Sequence, residues 1–346
     1  LKKKDIKSEE IARLAGVSRS TVSRVVNNYA NVPEQTRDKV MEVIRQYNYY
    51  PNVSAQVLAG KRARTIGLFL IGPGKVSGDI LTNMLIVSVI ENASACGYYV
   101  LTNLIRDAHD EETVRSVREI FFQRRIDGGI FIGASDREPI IEDLISEGFI
   151  VGVVDQEPPG LPESNRLVAN FDNDSGMRQA VDYLAELGHT DIGVINGDRN
   201  RLSGQTKFEG YQAAMASRGL SVNPSWVLAG SFHENGGYDA ATVLLERKGD
   251  LPTAIIAAND SVAFGAIRAF KEHGVRVPED ISVIGFDDHA LSERHHPALT
   301  TIRVNFGDML EQLTSNLIAR IEGSTAEFKE IKLDCQLIVR NSCRKI

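Results

Sequence analysis

Nine short apolar runs constrain this chain more than any other feature. They fall at 65–72, 98–105, 128–134, 149–155, 167–172, 192–196, 227–232, 254–258 and 281–286. The runs lack the in–out alternation of a half-solvated strand, so both faces of each expected strand must be buried. Stretches with helical spacing separate most of them, for example 176–187, 208–217 and 262–273. Buried strands joined by helices specify parallel, doubly wound sheets, because a parallel connection must be long enough to cross over. About 280 residues of this pattern exceed one comfortable sheet, so an α/β body of two similar subdomains is expected. The segment 156–162, with Pro158-Pro159-Gly160, is the expected first crossing between them. A second is expected near 291–297, returning 299–304 to the first subdomain, and a third brings 331–339 to the second. The expected bounds are about 65–160 with 297–323 for subdomain 1, and about 161–292 with 324–346 for subdomain 2.

The N-terminal region reads differently. Ile11, Leu14 and Ala15 repeat at helical spacing until Gly16 breaks the run. Ser18 can cap a second helix with its hydroxyl. That helix carries Val22, Val25 and Val26 on one face and Arg19, Ser20, Thr21, Ser23, Arg24 and Asn27 on the other. A face made of donors and short polar groups suits a DNA major groove, where Arg reads guanine edges and hydroxyls reach phosphates or bases. A solvated helical hairpin is the plainer alternative. A third helix is expected from about Pro33 to Tyr47, burying Val40, Val43, Ile44 and Tyr47. Residues 1–51 therefore form an expected helical domain, and 52–64 a linker.

Charge follows the same division. Residues 1–64 carry 13 Lys and Arg against 6 Asp and Glu, so this head is +7 in a chain of −7 and the remainder is −14. A basic head on an acidic body implies a polyanion partner for the head alone. Cys96, Cys335 and Cys343 are scattered, form no metal motif, and suggest a reducing compartment. No apolar run reaches membrane-spanning length, and the basic N-terminus leads into Ser8-Glu9-Glu10 rather than an apolar signal core. A cytoplasmic protein with no membrane partner is expected.

The pattern Ile11-Ala12-x-x-Ala15-Gly16-Val17-Ser18-x-x-Thr21-Val22-Ser23-Arg24-Val25 resembles the helix-turn-helix of the lactose-repressor/galactose-repressor (LacI/GalR) transcription factors. Pro51-Asn52, Ala55, Leu58 and Ile66-Gly67 continue the likeness, and Pro297-Ala298-Leu299-Thr300-Thr301-Ile302 extends it over nearly the whole chain. Two departures stand near the start: Lys7 replaces the usual Thr, which leaves Ser8 to cap the first helix, and Pro33 replaces the usual Ser. The resemblance implies an all-α head and a body of periplasmic-binding-protein type. It also implies a hinge helix over 53–60 that orders on DNA. Asn52, Ala55 and Leu58 would contact DNA there, with Leu58 as the minor-groove wedge between bases. A near-palindromic double-stranded operator and a homodimer are the implied assembly. No apolar heptads follow the last expected strand to zip dimers into tetramers.

Several expected strands end in polar groups: Asp155, Asp172, Asp198, Asn259-Asp260 and Asp287-Asp288. Any one of these is ordinarily a helix cap or turn former. Two such rims facing each other across a cleft would hold a polyhydroxylated small molecule. By resemblance, Asp155, Arg201, Ser203, Lys207, Phe232, Asn259 and Asp287 would contact that effector, a sugar or sugar derivative. Lys207 stands where the family has Arg and lacks its planar fork. Arg201 and Lys207 together suit an acidic sugar, a phosphate or plain hydroxyls. No cofactor is expected.

Enzyme readings do poorly. Gly72-Pro73-Gly74 lacks dinucleotide-site spacing, and no phosphate-binding loop or Gly-x-Ser-x-Gly elbow is present. The pair His295-His296 has no HExxH to support it as a metal site. The expected function is a ligand-controlled transcriptional regulator, a repressor first and an activator or dual regulator second. A solute-binding protein is the rival from another class.

Overall fold

The computed structural model describes residues 6–50, 57, 60–72, 80–160, 163–247, 251–327 and 330–346. It divides into two compact units, residues 1–63 and 64–346. Asn52, Ala55 and Leu58, the implied DNA contacts of the hinge region, lie outside the described residues.

Among the described residues the head has the helices α1 (Ser8–Ala15), α2 (Arg19–Val26) and α3 (Glu34–Gln46). Gly16 ends α1 in the left-handed region at φ 62°, a conformation that glycine adopts without strain. Its backbone N–H returns to Ala12 and Arg13, and this tight stop leaves only Val17 and Ser18 before α2. Ser18 caps α2 as expected, accepting from Thr21 N–H at 3.1 Å. The first cap is a correction. Lys7 occupies that position, no side chain bonds to the exposed N–H groups, and Ser8 lies inside the helix. Ile11, Ala15, Val22, Val25 and Val40 are buried together. Tyr47, expected on that face, is 39% exposed, because it terminates α3 one residue beyond the helix.

In the body, the nine apolar runs become β1 (Thr65–Ile71), β2 (Tyr99–Ile105), β3 (Gly128–Ile132), β4 (Val151–Val154), β5 (Arg166–Phe171), β6 (Ile192–Asn196), β7 (Val227–Ala229), β8 (Ala254–Ala257) and β9 (Ser282–Asp287). Three more strands follow, β10 (Thr300–Arg303), β11 (Ile331–Leu333) and β12 (Gln336–Ile338). They form two six-stranded sheets ordered β11-β5-β4-β3-β1-β2 and β12-β10-β9-β8-β6-β7. Among the described residues all pairings are parallel except β10 with β12. Helices α4 (Ile80–Ala95), α5 (Glu111–Phe122) and α6 (Pro139–Ser146) cover the first sheet together with α11 (Phe306–Ile321). The second sheet is covered by α7 (Asn173–Glu186), α8 (Leu202–Ser217), α9 (Glu234–Glu246) and α10 (Asp260–Glu272).

Two of the three expected crossings require correction, and the third falls inside its expected stretch. The chain does not leave the first sheet at 156–162, since β5 pairs with β4 from Val151↔Arg166 to Val154↔Ala169. It crosses after Phe171, and α7 then buries Met177, Val181 and Leu184 in the second lobe. Residues 299–304 do not return to the first sheet, because β10 pairs with β9. The return is made by α11, whose Met309, Leu313 and Leu317 pack on Ile66 and Leu68. The stretch 331–339 is shared: β11 pairs with β5 in the first sheet and β12 with β10 in the second. The lobes are thus residues 64–171 with 306–333, and 173–303 with 336–346. An apolar run fixes that a strand exists; which sheet takes it depends on distant strands of the same composition.

Two helix ends are capped at these crossings. Asp172 accepts from Ser175 N–H and Asn305 from Asp308 N–H, so each helix begins as the chain changes lobe. No described helix is long and apolar enough to cross a membrane.

Candidate functional site

On the head, α2 leaves Arg19, Ser20, Ser23 and Arg24 exposed while Val22 and Val25 face the core. Ser18 is committed to the cap. Its Oγ also lies 2.7 Å from Ser20 Oγ and 2.8 Å from Thr21 Oγ1, which makes a hydroxyl cluster at the helix N-terminus. Backbone N–H groups at such an end favour an anion. Asn27 points back along its own helix, donating to Ser23 Oγ at 3.2 Å. Arg19 meets Glu9 of α1, a residue that the sequence patterning did not single out.

In the body, a cavity of about 530 Å³ lies between the lobes, at the carboxyl ends of β1, β3, β4, β5 and β9. All seven residues expected to contact an effector line it: Asp155, Arg201, Ser203, Lys207, Phe232, Asn259 and Asp287. Strand ends that turn sharply place the carboxylates. Asp155 has φ 65° and Asp287 φ 108°, the left-handed region that a side-chain-bearing residue adopts at a cost. Asp155 directly follows β4 in the first lobe, yet accepts from Ser203 N–H and Ser203 Oγ of the second, each at 2.6 Å. It therefore ties the lobes together beside the cavity. Burial pushes its carboxyl upward, against the Ser203 bonds and the charges of Lys207 and Arg201.

Lys207 is 5% exposed and donates to Ala258 O at 2.8 Å. Its ammonium sits 3.6 Å from the Phe286 ring centroid, a cation–π contact that rewards the charged form. Burial lowers its pKa, while Asp287 and Asp155 act in the opposite direction. Arg201 lies 5.3 Å over the Phe232 ring. Asn259 is more structural than expected. Its Oδ1 caps α10 through Val262 N–H at 2.8 Å, and its Nδ2 holds Phe232 O at 3.0 Å, so it fixes the aromatic beside the cavity. That corner is tight: a Cβ at Gly265 would stand 1.9 Å from Glu234 O, so α10 approaches the start of α9 only with glycine there.

The other polar strand ends follow the plainer reading. Asp172 is a cap, Asp198 accepts from Asn200 N–H, and Asp288 pairs with Arg303 and Arg340 at 2.7 and 2.6 Å. His295 stacks on Phe264 with centroids 4.7 Å apart.

Two features escaped the sequence. Asp260 is 1% exposed beneath the cavity, accepting from His289 N–H, Ser292 Oγ and Thr301 Oγ1. Its position in an Asn-Asp pair at a strand end was visible; its partners come from the loop after β9 and from β10. The first lobe also adds an apolar wall that includes Leu70, Leu81, Leu85, Phe171 and Phe306. These residues read as core, because wall and core share one composition.

A helix-turn-helix unit on the same chain as a two-lobed body with a polar cavity between the lobes defines a ligand-responsive DNA-binding regulator. Residues 8–52 match the family of bacterial regulatory proteins, lacI family, and residues 181–343 match the periplasmic binding protein-like domain. The transcriptional repressor PurR of Haemophilus influenzae (strain PittEE) is 33% identical over 341 residues, covering 98% of each chain, and this chain belongs to the LacI family. Among solved structures, the lac repressor dimer bound to operator and the anti-inducer ONPF is similar at a TM-score of 0.83 and 27% identity, covering 99% of this chain and 100% of that one. The transcriptional regulator CelR in complex with cellobiose is similar at 0.74 and 28%, covering 97% and 99%. The chain is a DNA-binding transcriptional regulator with an effector-binding body, not an enzyme. Its lacI-type head separates it from solute-binding proteins that share the body.

Proposed function

We propose that the chain is a cytoplasmic repressor that binds a near-palindromic operator as a homodimer, controlled by a neutral polyhydroxylated effector held between the lobes. The observation that carries the effector class is the charge balance of the cavity. Lys207 and Arg201 face Asp155 and Asp287, so an added anion would meet two carboxylates as well as two cations. Carboxylates accept from paired hydroxyls, and the Phe232 ring offers a flat apolar surface to a sugar face. The apolar wall of the first lobe suits a less polar end of the same molecule. Relatives with cellobiose or ONPF bound are consistent with this class.

Calorimetric titration of the full-length chain with neutral mono- and disaccharides, sugar phosphates and purine bases tests the reading. Heat from a neutral sugar that also changes operator affinity is the expected result; binding by phosphates or purines alone contradicts it.

We propose Arg19, Ser20 and Arg24 as base readers, with Ser18, Thr21, Ser23 and Asn27 on phosphates or supporting them, and Asn52, Ala55 and Leu58 as DNA contacts of the hinge region. Arg24→Ala should cost roughly 1–3 kcal/mol on the cognate site and relax preference at one base pair per half-site. A loss of equal size on every sequence, seen in competition binding, would reassign Arg24 to phosphate contact.

A further inference from the structure

We infer that Glu9 is a specificity-determining residue of the DNA-binding head, pairing with Arg19 so that the guanidinium reads a base by direction rather than by charge. The inference rests on the reading of Arg19 as a base reader. Helix α1 opens with two carboxylates that behave differently. Glu10 stays on its own helix, held by Arg13 through two bonds of 2.5 and 3.1 Å. Glu9 instead reaches across the turn to Nη1 of Arg19, the first residue of α2, at 3.1 Å.

The pair is not there to hold the fold together. The side chains of Arg19 and Glu9 are 70% and 58% exposed, and ion pairs this open add little to stability. What they share is position. The first residues of a recognition helix approach base edges, so a carboxylate beside them also approaches phosphates. There it opposes the attraction that dominates binding to any DNA. In contact with Glu9, Arg19 is part of a neutral unit and releases few counterions. Its remaining value is geometric. The carboxylate beside Nη1 biases where the guanidinium lies, while Nε and Nη2 keep donors for O6 and N7 of a guanine. The neighbouring Ser20 hydroxyl bonds back to Ser18 at 2.7 Å.

The test uses the full-length chain and a library of duplexes randomised across two half-sites, with wild type, Glu9→Gln, Arg19→Ala and the double variant. Glu9→Gln should bind all duplexes more tightly, with a log–log salt slope steeper by about one per head. Discrimination at the base pair that depends on Arg19 should fall about tenfold. In the Arg19→Ala background, Glu9→Gln should leave discrimination unchanged. If Glu9→Gln keeps full discrimination while Arg19→Ala loses it, the role of Glu9 is overturned and Arg19 remains a reader. If Arg19→Ala loses none at any position, both are overturned. A lowered melting temperature in Glu9→Gln would make the residue structural and likewise overturn the inference.

Discussion

Asp287→Ala abolishes the response to effector while leaving operator binding without effector near wild type. The reasoning starts from where the carboxylate sits. Asp287 ends β9 at φ 108°, lines the cavity, and is the first opposing charge felt by the buried Lys207. A carboxylate there can accept two hydroxyl donors at once. Losing one charge-assisted hydrogen bond is worth about 1.5–3 kcal/mol, roughly ten- to a hundredfold in affinity. An effector can shift the equilibrium between lobe arrangements only by its differential affinity for them, so losing the contact removes the shift as well. Asp287→Asn keeps the shape, tolerates the same backbone region and isolates the charge. Effector titrations read by operator binding decide the matter: an Asp287→Ala chain with full response would place the effector elsewhere.

The elements of this fold were legible because burial on two faces leaves an unmistakable apolar run, and each of the nine runs contains a strand. The lobes were not. Nothing local distinguishes β10, which stays in the second sheet, from a strand returning to the first, and β11 and β12 are three residues each. The cavity residues were legible by position-by-position resemblance, and all seven gather on one surface. What each side chain does there was not. Asn259 spends both its polar groups on a cap and on the Phe232 backbone, and Asp155 reaches Ser203 of the other lobe across 48 residues. Long-range pairing of this kind leaves no periodicity behind it. Arg19 with Glu9 is the same lesson at short range: two charges ten positions apart meet only because Gly16 turns the chain back.

Asp260 should make stability fall as pH rises from about 4 to 7, and its removal should be the most damaging change beneath the cavity. Burial and then the charge of Asp287 push its carboxyl from an ordinary 3.8 up to about 7, against the bonds from Ser292, Thr301 and His289. The folded chain therefore holds this proton more tightly than the unfolded chain does. Between those pH values the folded state binds more protons, so the contribution is full below about 4 and lost as pH rises through about 7. Oδ1 accepts from Thr301 Oγ1 at 2.5 Å, and Oδ2 accepts from Ser292 and His289 at 2.6 Å each. Asp260→Ala leaves two buried hydroxyls and the part-buried His289 N–H without this acceptor, and the expected cost is roughly 3–5 kcal/mol. No shift of the backbone fills the gap readily, since β9 already approaches so closely that a Cβ at Gly285 would lie 2.1 Å from Asp260 Oδ1. Asp260→Asn should instead flatten the pH dependence at a smaller cost. Asp287→Ala removes the second cause of the raised pKa, so in that variant the fall in stability should move to lower pH. Urea unfolding of wild type and the three variants at several pH values separates these outcomes. Wild-type stability that climbs over this range in parallel with Asp260→Asn would mean that Asp260 is ionised throughout, its three donors outweighing both burial and the neighbouring carboxylate.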